Sequence, residues 1–64
     1  MKKVYIIKKE HRTKFVEDFI ADTEGANAPK KIFNSVLDAR IYLKEHCEDD
    51  LEYLFIIQEA FIAV

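Results

Sequence analysis

The sequence predicts a small α+β fold, a mostly antiparallel three-stranded sheet with helices on one face. Two observations carry that reading. Apolar runs rich in β-branched and aromatic residues, Val4-Tyr5-Ile6-Ile7 and Tyr53-Leu54-Phe55-Ile56-Ile57, stand near the two ends of the sequence, and short runs of this kind form strands. Between them, residues 35–47 repeat apolar side chains at helical spacing behind a serine. At 64 residues the chain makes a single domain, 1–64.

Residues 3–9 form the first strand, with lysines at both ends and Glu10-His11-Arg12 as its polar exit. Residues 13–23 read as a helix. On a helical wheel Phe15, Val16, Phe19 and Ile20 fall within roughly 140° of arc, and Lys14, Glu17, Asp18 and Asp22 lie outside it. Thr13 offers an N-cap and Gly25 a stop. As a strand, the same residues would mix Phe or Ile with an acid on each face. Residues 24–29 hold the only Gly and the only Pro and form a loop, and 30–34 form a short strand.

The helix over 35–47 has Ser35 as its cap, with Asp38 at the third following position. Val36, Ala39, Leu43 and Cys47 make one apolar stripe, with Tyr42 at its edge. Leu37 and Ile41 make a second, roughly 100–140° away, with Arg40 between the two. One sheet cannot cover both, so the second stripe awaits either the 13–23 helix or a partner. The stretch 51–64 is the one the chain is organised around. As a single strand it would span roughly 45 Å, so a bulge or bend near Gln58-Glu59 is expected, with residues 60–64 used separately.

Half the chain is apolar and it holds one cysteine. Disorder is excluded on that composition, no internal disulfide can form, and a reduced, cytoplasmic setting follows. Val4–Ile7 is too short for the apolar core of a secretory leader, and the last stretch is too polar to span a bilayer. So small a domain has difficulty hiding this many apolar side chains, which points to a homodimer assembled through Ala60, Phe61, Ile62 and Val64. The net charge of −2 is unevenly spread: residues 1–31 carry +3 and residues 32–64 carry −5.

The catalytic chemistries find no support. His46 and Cys47 are adjacent on a helix, so their side chains diverge by about 100° and cannot act as a base–nucleophile pair. One Cys and two His fall short of a zinc site, and a single Gly cannot build a phosphate loop, so no metal and no cofactor is expected. Nucleic acid is a second reading, resting on Lys2, Lys3, Lys8, Lys9, Arg12, Lys14, Lys30 and Lys31 with Tyr5 or Phe33 as a stacking surface. The overall negative charge opposes it. Glu45, Glu48, Asp49, Asp50 and Glu52 place five carboxylates in eight residues. Beside Leu37 and Ile41 they make an apolar anchor with a charged rim, which suits a protein partner.

The opening Lys3-Val4-Tyr5-Ile6-Ile7, then Ile32-Phe33-Asn34-Ser35 feeding a helix with Ala39, Tyr42 and Leu43, then an acidic turn and a final strand, resembles small accessory proteins of tailed bacteriophages. The resemblance covers residues 3–9 and 32–60 and departs at 13–23, where such proteins carry a second strand. It implies a non-enzymatic inhibitor or modulator of a larger host or competing protein, of the host-takeover or anti-defence kind. It carries over no functional residue.

Overall fold

The structure is a computed structural model that describes residues 1–21 and 29–63. Its elements run β1 (Lys2–His11), β2 (Glu17–Phe19), α1 (Val36–His46) and β3 (Tyr53–Ile62). The three strands form one antiparallel sheet in the order β2-β1-β3, with the helix against one face. This is the α+β class and strand count expected, reached by a different route.

β1 is the central strand because both of its edges find partners. On one side its ten residues pair without interruption with the ten of β3, from Lys2↔Ile62 to His11↔Tyr53. The ladder runs one step further, where the Arg12 N–H donates to the Glu52 carbonyl at 3.0 Å. The bulge expected at Gln58-Glu59 is therefore absent, and residues 60–62 continue the same strand. A partner of equal length satisfies every inward backbone group, so nothing is gained by a break. What changes at Gln58-Glu59 is burial. Tyr53, Phe55 and Ile57 are half-buried on the helix face, whereas beyond them Ala60 and Ile62 are half-buried on the other.

The second correction concerns residues 13–23. They form no helix over residues 13–21, and residues 22 and 23 lie outside the described residues. Residues 12–15 make a turn, the His11 N–H donates to the Val16 carbonyl at 2.8 Å, and β2 pairs back onto β1 through Lys8↔Phe19, Lys9↔Asp18 and Glu10↔Glu17. The helical pattern depended on Phe15 and Val16, which instead stand exposed in the turn. An isolated helix of eleven residues is marginal in water, while the open edge of β1 offers hydrogen bonds and a core position for Ile20.

Residues 30–34 are likewise not a strand of the sheet. They meet it through two single bridges, Ala21↔Lys30 and Tyr5↔Phe33. Tyr5 and Phe33 exchange both backbone hydrogen bonds at 2.8 Å, filling the part of the β1 edge that β2 is too short to reach. The loop expected over 24–29 lies outside the described residues, except for Pro29.

The core is small. Ile7, Phe33 and Ala39 are buried together, with Tyr5, Ile20, Tyr42, Leu43, Phe55 and Ile57 packed against them. Val4, buried at 1% exposure, lies outside this cluster on the opposite face of the sheet. The helix begins as expected. The Ser35 Oγ accepts the Asp38 N–H at 3.1 Å, and at the other end the Cys47 N–H donates to the Leu43 carbonyl.

Candidate functional site

Helix α1 turns the Ala39/Leu43 stripe to the sheet and the Leu37/Ile41 stripe to water. Ala39 is 0% exposed, while Leu37 is 66% and Ile41 46% exposed. With no second helix over residues 13–21, nothing among the described residues covers this stripe. These two residues lie one helical turn apart and so present a single apolar ridge.

All five carboxylates of the acidic cluster are exposed. They do not act alike. Asp50 Oδ1 accepts the N–H groups of Glu52 at 2.8 Å and Tyr53 at 3.3 Å, so it shapes the entry into β3. The Glu52 carboxylate lies 3.9 Å from His11 Nε2, and Glu45 lies 4.0 Å from His46 Nε2. Glu48 and Asp49 enter no ion pair among the described residues. They stand in the turn that follows the C-terminal end of the helix, whereas Leu37 lies in its first turn and Ile41 at its middle.

The residues expected to mediate self-association are divided. Ala60 and Ile62 are half-buried within the chain itself, Phe61 is 56% exposed, and Val64 lies outside the described residues.

The lysines of β1 do not share one face. Alternation along β1 sends Lys2 and Lys8 to one face of the sheet and Lys3 and Lys9 to the other. Lys8 is held 3.0 Å from Glu17 and 3.2 Å from Glu10, and those two hydrogen bonds raise its pKa above the ordinary lysine value, Glu17 contributing most. Lys3 reaches Glu59 at 3.6 Å, Lys9 lies over the Tyr53 ring, and Lys30 over Phe19. Lys31 lies over Phe33 and Tyr42. Phosphate binding needs a shared cationic surface, and the fold divides the N-terminal lysines between two faces.

The cysteine and the two histidines make local contacts. Burial, with Asp50 nearby, pushes the Cys47 thiol up from its ordinary pKa, the opposite of what a nucleophile needs. The His11 ring stands edge-on to Tyr53 at 5.1 Å, and its Nδ1 accepts the Thr13 N–H. His46 stacks at 4.6 Å on Tyr42, which in turn meets Phe33. Among the described residues no group of His, Cys, Asp or Glu is placed to hold a metal ion, and no helix is long and apolar enough to cross a membrane.

The C-terminal stretch expected to self-associate lies in β3, whose outer side is an edge of the sheet. Glu59 is the only charged residue between Tyr53 and Ile62. Comparison with family models, curated proteins and solved structures finds no match to this chain.

Proposed function

We propose that this protein is a small non-enzymatic protein-binding module that inhibits or modulates a larger protein, and that it works as a homodimer. The observation that carries the reading is the exposed ridge of Leu37 and Ile41. Large aliphatic side chains scattered singly on a surface need no explanation. Two on one helical ridge, in a domain with four buried apolar residues among the described residues, are a different matter. The ridge supplies an apolar anchor, and Glu48 and Asp49, past the opposite end of the helix from Leu37, supply a separate charged edge. The matching target surface is an apolar hollow bordered by Lys or Arg. The resemblance to phage accessory proteins supports a cytoplasmic target in a host cell, with host takeover or anti-defence as the setting.

Capture from a host lysate tests this when it is run in parallel with two baits, the natural chain and the double variant Leu37→Lys, Ile41→Lys. The expected result is a protein retained by the first and lost by the second. Identical eluates from two folded baits would sink the reading. The nucleic-acid alternative rests on the basic N-terminal half alone. Weak or undetectable binding of single- and double-stranded probes near physiological salt is the expected outcome of a titration.

A further inference from the structure

We infer that the outer edge of β3 pairs with the same edge of a second copy, antiparallel and with Ile57 opposite Ile57, to make one six-stranded sheet. This deepens the homodimer part of the proposed function by assigning the contact and its register.

The argument starts from which backbone groups are spent. Odd-numbered residues of β1 bond away from β3: Tyr5 with Phe33, Ile7 with Ile20, His11 with Val16. Even-numbered residues therefore bond toward β3, as the Arg12–Glu52 bond one step beyond the strands confirms. Across the ladder, even residues of β1 meet even residues of β3. It follows that Tyr53, Phe55, Ile57, Glu59 and Phe61 direct their N–H and carbonyl groups outward. Only the Tyr53 N–H has a partner there among the described residues, the Asp50 carboxylate.

This edge also lacks the usual protections. Sheet edges are kept from pairing by shortness, lysine, proline or a bulge. The opposite edge of the sheet uses the first: β2 has three residues, two of them the acids Glu17 and Asp18. β3 has ten residues, no lysine, no proline and an unbroken register. It spans about 33 Å, close to the 37 Å long axis of the molecule.

Self-pairing about a two-fold axis requires outward residues to oppose outward residues. The five outward residues are symmetric about Ile57, so centring the axis there pairs all of them: Ile57 with Ile57, Phe55 with Glu59, Tyr53 with Phe61. Charge supports the same choice. Centring the axis on Glu59 would set two carboxylates directly opposite one another, which is destabilising. Centring it on Ile57 sets each Glu59 opposite a phenyl ring, while its own Lys3 stays 3.6 Å away. The exposed Phe61 gains an aromatic cross-strand neighbour in Tyr53 of the second copy. On the sheet face away from α1, the same register sets Leu54 opposite Ala60 and Ile56 opposite Gln58 of the second copy.

Solution mass tests the contact and cysteine pairing tests the register. The natural chain is expected at twice its 7.5 kDa mass at micromolar concentration. Glu59→Pro removes an outward N–H while leaving the β1 ladder intact, and Phe61→Lys places a charge on the edge. Both are expected to halve the mass and to keep the circular-dichroism spectrum. In a Cys47→Ala background, Ile56→Cys mixed with Gln58→Cys is expected to form a disulfide-linked pair, because those residues face each other as a close, non-hydrogen-bonded pair. Neither variant is expected to cross-link alone. A dimer that survives both edge variants overturns the proposal. Cross-linking of Gln58→Cys with itself overturns the register and leaves a β3 dimer standing. A natural chain that remains monomeric overturns the homodimer altogether. Target capture through Leu37 and Ile41 is read separately and stands or falls without it.

Discussion

Helix α1 carries two apolar stripes of the same chemistry with opposite fates. Ala39 and Leu43 meet the sheet, and Ala39 is fully buried. Leu37 and Ile41, a fraction of a turn away, face water at 66% and 46% exposure. Nothing in the residue types separates the two. What separates them is the number of layers available: a three-stranded sheet with one helix has one interior, and a helix can give it only one side. Apolar periodicity thus states how much surface wants cover and leaves open what supplies it.

Truncation on the two stripes gives the sharpest contrast. Leu43→Ala is expected to destabilise the fold by about 2 kcal/mol, the low end for a leucine because Leu43 is half-buried. Leu37→Ala is expected to change stability by less than about 0.5 kcal/mol, while weakening target capture. Urea unfolding of both variants measures the difference. Equal losses would mean that Leu37 is already buried in solution by another chain, and the contrast between the stripes would vanish.

A smaller effect comes from the cap that both stripes share. Ser35 accepts the Asp38 N–H at 3.1 Å, and Ser35→Ala leaves that donor to water at a cost of about 1 kcal/mol. Ser35→Asn is expected to recover most of it. If Ser35→Ala melts like the natural protein, the start of the helix is set by packing of Val36 and Ala39 and not by the cap.

Helix α1, strand β1 and the first half of β3 were legible because their signals are local: a capping residue, a 3.6-residue repeat, and runs of β-branched and aromatic residues. The continuation of β3 through residues 58–62 was not, because it depends on the equal length of β1 beside it. The residues after β1 were not, because their structure is decided elsewhere. Phe15, Val16, Phe19 and Ile20 satisfy a helical wheel, but the open edge of β1 takes residues 17–19 as a strand and leaves Phe15 exposed in the turn. No window of sequence around residue 15 contains that edge. Residues 30–34 fail for the related reason that Phe33 alone, not the run, is needed to complete the edge at Tyr5. Of the candidate site, Leu37 and Ile41 were legible as a second stripe. The division of labour within the acidic cluster was not, since it depends on where the turn directs each carboxylate.

That division yields the smallest expected effect on stability and the finest test of the contrast between covered and uncovered surface. Glu48 and Asp49 are exposed and unpaired among the described residues, so Glu48→Lys with Asp49→Lys is expected to leave unfolding within about 0.5 kcal/mol of the natural protein. Asp50, between Asp49 and the start of β3, is equally exposed and equally acidic, yet its carboxylate accepts two backbone N–H groups. Asp50→Ala is therefore expected to cost more than the double reversal, about 1 kcal/mol for the lost hydrogen bonds. For target binding the ranking inverts. Once a target is in hand, reversing Glu48 and Asp49 is expected to slow association, with an effect that fades as salt rises. Asp50→Ala is expected to change association little. If the double reversal leaves the association rate untouched, those two carboxylates are solvated turn residues, and recognition rests on the apolar ridge of Leu37 and Ile41 alone.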